Sequence, residues 1–80
     1  MRFKYSTWTK KLLSTQSELD KIDQMTVHNL DGKVVVYTAK DLQLSLIEKI
    51  RQSHFLFVVV NYVGGYNTIL CPEFISYDEI

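Results

Sequence analysis

Two runs of strand-forming residues, separated by a pair of glycines, constrain this chain more than any other feature. The first run, residues 55–63, is rich in aromatic and β-branched residues, a composition that suits a pleated, half-buried surface. Gly64 and Gly65 follow, and a second run covers residues 66–71. A two-residue type I′ turn needs positive φ at both central positions, which glycine adopts freely. The sequence therefore predicts a β-hairpin over about 55–71.

Both faces of this predicted hairpin are largely apolar. An antiparallel hairpin with one face in water normally alternates apolar and polar residues, so each face here needs a cover. We expect a helix on one face and, on the other, either the N-terminal part of the chain or a second copy of the protein. With a two-residue turn, the face left for that second cover carries Phe57, Val59, Val63, Tyr66 and Leu70.

A second hairpin is predicted around Asp31 and Gly32. This Asp-Gly pair lies between two runs of strand-forming residues, and such a pair is a strong signal for a two-residue turn. That turn would place Val27 opposite Val36. The predicted hairpin covers about residues 25–37.

Capping signals and apolar spacing predict two helices. Residues 15–18 have the pattern of a capping box, which predicts a short helix over about 15–24. Residues 38–41 form a second capping pattern, and leucine or isoleucine then recurs every three or four positions over 42–50. This spacing predicts an amphipathic helix over about 39–52 that packs on one face of the sheet.

These elements predict a single α+β domain over residues 1–80. Its antiparallel sheet consists of the two hairpins, with the longer helix on one face and the shorter helix near the N-terminus. Hairpins separated by a helix favour segregated layers over a parallel sheet. Residues 2–13 fit either a strand or a helix, and that choice decides which face of the sheet is free.

Charge and cysteine content narrow the function classes. Nine basic and nine acidic residues give a formal net charge of zero, which does not favour bulk binding to nucleic acid or to membrane surfaces. Cys71 is the only cysteine, so no internal disulfide can form, and this fits a reducing compartment. No apolar segment follows the N-terminal basic residues, and the longest apolar run is far below the ~18 residues of a membrane-spanning helix. We therefore expect a soluble, cytoplasmic protein without membrane contact.

The chain carries no recognisable catalytic or metal-binding motif. His28 and His54 are too widely spaced to form a local ligand pair, so no metal or cofactor is predicted. Cys71 could pair with a histidine as a nucleophile, but a cysteine in an apolar strand is better explained by core packing. We accordingly expect a small non-enzymatic protein–protein interaction, accessory or inhibitor module, with a homodimer formed through the 55–71 hairpin. A small enzyme that uses Cys71 is a weaker alternative.

Single-stranded nucleic-acid binding is the main rival prediction. The N-terminal segment, residues 2–11, interleaves cations with aromatic rings and contains no acidic residue. Cations for phosphates and rings for base stacking are the components of such a surface. The residues that would make these contacts are Arg2, Lys4, Tyr5, Trp8, Lys10 and Lys11.

Overall fold

The computed structural model describes residues 4–72, which contain five strands and two helices. The strands form one sheet in the order β1-β5-β4-β2-β3. The architecture is α+β as predicted, but the sheet is mixed rather than antiparallel, because β1 runs parallel to β5. In chain order the elements are β1 (Lys4–Thr7), α1 (Gln16–Leu19), β2 (Ile22–Asn29), β3 (Val34–Thr38), α2 (Leu44–Gln52), β4 (Phe55–Tyr62) and β5 (Asn67–Cys71).

Trp8 anchors β1 beside β5. Its backbone N–H donates to the Cys71 carbonyl at 2.8 Å, directly after the last pair of the β1–β5 ladder. The indole is buried, lies 5.6 Å from the Phe55 ring between centroids, and donates its Nε1–H to the Leu12 carbonyl. Burial of so large an aromatic surface, with the ring N–H satisfied, favours this position strongly. Within the N-terminal segment, Lys4–Thr7 therefore form a strand, which lies at the edge of the described sheet beside β5.

The hydrophobic core lies between α2 and one face of the sheet, here called the inner face. Alternate residues of β2 and β4 point into it, as the two-residue period of a strand requires. Residues of α2 and of the segment between β1 and β2 cover the side of the core that faces away from the sheet. The members contributed by the sheet include Met25, Val27, Val58, Val60 and Leu70, and the covering members include Trp8, Leu13, Leu19, Ile47 and Ile50.

The longer helix begins later than the capping pattern predicts. The Thr38 N–H and hydroxyl both lie 3.1 Å from the Asp41 carboxylate, while the Asp41 N–H donates to the Thr38 carbonyl at 2.9 Å. The predicted pair therefore closes a turn at the end of β3 instead of starting a helix. Gln43 is the N-cap, without a side-chain cap bond, and α2 starts one residue later.

The shorter helix is a single turn, Gln16–Leu19, instead of the predicted helix over about 15–24. Its capping box forms, because the Thr15 hydroxyl accepts from the Glu18 N–H. An isolated helix of this length gains little free energy, whereas residues from Ile22 onward pair with strands on both sides. The chain therefore leaves the helix early and enters β2.

The Glu18 carboxylate stabilises an unusual backbone turn before α1. Leu13 has a φ of 57°, a left-handed conformation that costs free energy for a residue with a Cβ atom. The Leu13 N–H donates to one carboxylate oxygen at 2.9 Å and the Ser14 N–H donates to the other at 3.1 Å. These bonds, chiefly the one from Leu13, lower the pKa of the Glu18 carboxyl despite an opposing effect of burial.

Both hairpins turn through three residues rather than two, so both predicted registers are wrong by one position. In the first hairpin the Asn29 N–H donates to the Lys33 carbonyl, and the Gly32 N–H donates to the Asn29 carbonyl. Gly32 has a φ of 89°, which is the left-handed residue that ends a three-residue loop. Val27 consequently opposes Val35 and not Val36.

The second hairpin repeats this geometry. The Tyr62 N–H donates to the Tyr66 carbonyl, the Gly65 N–H donates to the Tyr62 carbonyl, and Gly65 has a φ of 87°. Val59 therefore opposes Ile69 instead of Leu70. A shift of one residue moves every side chain of a strand to the other face, so this correction decides what the hairpin exposes.

Stacked tyrosines close the end of the second hairpin. The rings of Tyr62 and Tyr66 lie 4.7 Å apart between centroids with 17° between their planes. Burial raises the pKa of the Tyr62 phenol, and its hydrogen bond with Thr68 partly offsets this increase.

Neither helix in the described part of the chain is long and apolar enough to cross a membrane.

Candidate interaction surface

The face of the sheet opposite α2, here called the outer face, carries two rows of side chains with apolar members. In each row a residue of β2 lies between a neighbour on β3 and a neighbour on β4. These six residues are named the outer patch. The first row is Val34, His28 and Phe57, and the second is Val36, Thr26 and Val59.

The outer patch is solvent-accessible and partly preorganised. Val34 and Val36 are 52% and 48% exposed, and the other four members are half-buried. The His28 imidazole stacks on the Phe57 ring, with centroids 4.2 Å apart and 20° between the planes. β-branched side chains on a strand have few accessible rotamers, so the valines of the patch lose little conformational entropy when they are covered.

Polar residues and buried residues limit the patch on two sides. The next row along the strands is polar and consists of Thr38, Gln24 and Asn61. Beyond β4 on the same face, Ile69 of β5 is only 7% exposed. The accessible apolar side chains of the patch are therefore confined to β3 and β4, with His28 and Thr26 of β2 between them, and they reach the edge of the sheet at β3.

The backbone of β3 is open on that edge at two residues. Among residues 4–72, β3 is hydrogen-bonded to β2 alone. The Asn29–Lys33 pair is hydrogen-bonded, and bonded and non-bonded pairs alternate in an antiparallel ladder. The backbone groups of Val34 and Val36 therefore point away from β2, toward solvent.

Thr38 would be the third outward-pointing residue of this edge, but its backbone groups are already used. Its N–H donates to the Asp41 carboxylate, and its carbonyl accepts from the Asp41 N–H. The open part of the β3 edge therefore presents two N–H and two carbonyl groups. The strand carries none of the charged side chains, prolines or bulges that commonly protect an edge.

A shallow groove lies beside this edge on the inner face. It has a volume of about 220 Å³ and runs between Val35 and Tyr37 of β3 and Leu46, Lys49 and Ile50 of α2. The groove is smaller than the roughly 300–1,000 Å³ of a typical small-molecule site. Its lining also includes the polar residues Asn29 and Ser53, and Lys49 is the only charged residue among those that line it.

The structure separates the five residues predicted as a contact surface. Phe57 and Val59 lie in the outer patch, and Val63 and Tyr66 lie at the hairpin end with exposures of 70% and 58%. Leu70 is fully buried on the inner face, opposite Val58. The predicted shared face depended on the two-residue turn, and the three-residue loop moves Leu70 into the core.

The residues predicted for nucleic-acid contact are also separated. Trp8, the only ring among the described side chains of residues 6–11, is 1% exposed and belongs to the core. Lys10 and Lys11 are exposed. Arg2 lies outside the described residues, and Lys4 and Tyr5 are described only through the backbone of β1.

Among the residues that the structure describes, Cys71 and the two histidines do not form part of a metal site. Cys71 is 4% exposed at the end of β5, and His28 is stacked in the outer patch. Within residues 4–72, no group of three or more His, Cys, Asp or Glu side chains is placed to hold a metal ion.

The sequence pattern did not single out Val34 and Val36. Three successive valines on one strand place apolar side chains on both of its faces, and this signal was present in the sequence.

Comparisons of the chain with models of protein families, with curated proteins and with solved structures returned no match.

Proposed function

We propose that this chain is a small non-enzymatic protein–protein interaction module that forms a homodimer through the outer patch. The observation that supports this proposal is the outer patch, in which accessible apolar residues of β3 and β4 flank His28 and Thr26 of β2. Single exposed apolar residues are common on any protein surface, but a contiguous patch with a polar border is typical of an interaction site. A chain of this kind could serve as an accessory or inhibitor protein that occludes its partner.

Size and charge favour a second copy as the first partner. A domain of 80 residues buries a limited fraction of its surface, and oligomerisation is a common way to increase it. A net charge of zero adds no overall repulsion between copies. The proposal retains Phe57 and Val59 from the predicted contact and adds the valines of β3.

Sedimentation velocity over a concentration series, at low and moderate salt, tests the homodimer. We expect dimerisation at both salt concentrations, because contacts between apolar side chains are not screened by ions. The double substitution Val34→Ser/Val36→Ser should weaken the dimer, whereas Leu44→Ser should not. Leu44 is a matched control because it is 40% exposed but lies on α2, away from the outer face.

A wild-type protein that stays monomeric at the highest concentration would overturn the homodimer. If instead the serine variant dimerised normally while Tyr66→Asp did not, the contact would lie at the end of the second hairpin. Circular dichroism of each variant would establish that the monomers remain folded.

A further inference from the structure

The open edge of β3 is a self-complementary hydrogen-bonding surface. We propose that β3 pairs antiparallel with β3 of a second copy around a two-fold axis at Val35, which joins two five-stranded sheets into one of ten strands. This inference rests on the homodimer proposed above and narrows its contact to the β3 edge of the outer patch, at Val34 and Val36, while Phe57 and Val59 lie outside the contact. The occupant is a second copy because both halves of a two-fold interface use the same surface, and this edge can satisfy itself.

The pairing follows from the direction of the backbone groups. A two-fold axis perpendicular to the sheet places the outer faces of both copies on the same side of the joined sheet. Residues that oppose each other must therefore point to the same face, so the axis passes through a residue and not between two. With the axis at Val35, Val34 of each copy opposes Val36 of the other. Both residues have outward-pointing N–H and carbonyl groups, so four hydrogen bonds form and all open groups of the edge are used.

The two neighbouring registers leave backbone groups unpaired. An axis at Val36 would place Val34 opposite Thr38, whose N–H and carbonyl are already bonded to Asp41. An axis at Val34 would place Val36 opposite Gly32, whose N–H already donates to the Asn29 carbonyl. A buried backbone group without a partner costs free energy comparable to a lost hydrogen bond. The register at Val35 avoids both conflicts.

Charges near the axis favour the same register. With the axis at Val35, Lys33 faces Tyr37, and no two like charges oppose each other in the flanking residues. With the axis at Val36, Asp31 would face Asp41 of the second copy, and like charges directly opposite each other are destabilising.

The proposed pairing also extends the apolar surface. Val34 and Val36 lie in the outer patch, so their counterparts in the second copy continue both rows across the axis. On the inner face, the two Val35 side chains meet beside the groove between β3 and α2. The interface therefore combines backbone hydrogen bonds with apolar contact on both faces of the sheet.

A single-cysteine cross-link tests the position of the axis. Two residues that oppose each other as a non-hydrogen-bonded pair have Cα atoms about 4.5 Å apart, which lies within disulfide range. Under mild oxidation, Val35→Cys should therefore form a disulfide-linked dimer in high yield. Val34→Cys is the matched control, since Val34 is more exposed but lies beyond the roughly 7 Å limit from its own counterpart. The wild type, whose only cysteine is the buried Cys71, measures the background of cross-linking.

Paired charges test the register independently. In Val34→Lys/Val36→Glu, each introduced lysine faces an introduced glutamate of the second copy, so the dimer should persist in sedimentation velocity. In Val34→Lys/Val36→Lys, lysine faces lysine at both sites, and the protein should become a folded monomer. Equal behaviour of the two variants, in either direction, would overturn the register.

The outcomes separate this inference from the proposed function. A dimeric wild type whose Val35→Cys variant cross-links no better than Val34→Cys would overturn the β3 pairing and leave the interaction module standing. A monomeric wild type would overturn both. Efficient linkage at position 35 with none at position 34, in a dimeric protein, is the expected result.

Discussion

Replacement of Glu18 by glutamine should destabilise the fold through the turn that precedes α1. The carboxylate accepts hydrogen bonds from the Leu13 N–H, the Ser14 N–H and the Thr15 hydroxyl. It thereby holds Leu13 at a φ of 57° while the leucine side chain remains buried in the core. Glutamine has almost the same shape, but it presents one neutral acceptor oxygen in place of two charged ones.

The size of the effect follows from these three bonds. A hydrogen bond to a charged group contributes about 1.5–3 kcal/mol when it is well shielded. The Glu18 carboxylate is largely exposed, so solvent screening reduces this contribution, and glutamine retains part of it. We expect Glu18→Gln to lower the free energy of unfolding by about 1 kcal/mol. For a domain of this size that corresponds to a decrease in Tm of about 4–8 °C.

The sign of the pH dependence gives a second readout. The pKa of Glu18 is lower in the folded chain than its ordinary value of 4.5, so the unfolded chain takes up the proton first. The stabilisation by the carboxylate is therefore complete above about pH 4.5 and is lost as the pH falls through the lowered folded pKa. The wild type should be more stable than Glu18→Gln at pH 7, and this difference should shrink as the pH falls below 4.5 and through the lowered folded pKa.

Thermal unfolding of the wild type, Glu18→Gln and Glu48→Gln at several pH values measures both quantities. Glu48 is the matched control, because its carboxylate accepts two hydrogen bonds, both from side chains, and its own side chain is 58% exposed in an ion pair with Arg51 on α2. Such a pair contributes only about 0.3–0.5 kcal/mol. Equal losses in the two variants at pH 7, or a difference between wild type and Glu18→Gln that does not shrink in acid, would refute the role assigned to Glu18.

Three further predictions concern the core, a loop and an alkaline transition. Leu70→Ala should lower the free energy of unfolding in urea by about 2.7–5 kcal/mol, because the Leu70 side chain is fully buried. The control Val63→Ala should change it by less than about 0.5 kcal/mol. Similar losses in the two variants would contradict the observed register. Gly65→Ala should lower the free energy of unfolding by about 1–2 kcal/mol. The cause is backbone strain at a φ of 87° alone, since no atom lies within 4 Å of the added methyl group. An unchanged Tm would contradict this strain. The raised pKa of Tyr62 adds stability that is present below pH 10 and is lost as the pH rises through the folded pKa. Tyr62→Phe should therefore flatten the alkaline decline in unfolding free energy, and a decline of unchanged slope would assign it to other groups.

Both hairpins could be located from the sequence, but their registers could not. A glycine in the left-handed conformation satisfies a two-residue type I′ turn and also ends a three-residue loop. The Asp31-Gly32 and Gly64-Gly65 pairs are compatible with either geometry. The structure selects the longer loop in both hairpins, as the bonds of Gly32 and Gly65 to earlier carbonyls show. Local composition therefore fixes where the chain turns, whereas packing on the inner face decides which residues oppose each other.

The same limit applies to the outer patch. Phe57 and Val59 could be placed on a face that needs a cover, because β4 is apolar on both sides. Val34 and Val36 could not, because the predicted register put Val36 opposite Val27, whereas the structure puts Val35 there. The parallel pairing of β1 was also beyond local patterns, since it depends on contacts between the two ends of the chain.

That parallel pairing has a consequence for how the chain folds. β1 and β5 come from opposite ends of the described sequence, so their ladder closes the longest loop in the sheet, and contacts of this kind slow folding. The two hairpins and α2 can assemble first from neighbouring segments. Trp8 follows β1 directly and is the only tryptophan, so its burial against Phe55 accompanies the last closure. Its fluorescence should therefore lag behind the far-ultraviolet dichroism during refolding, and the amides of β1 should be among the first in the sheet to exchange with solvent.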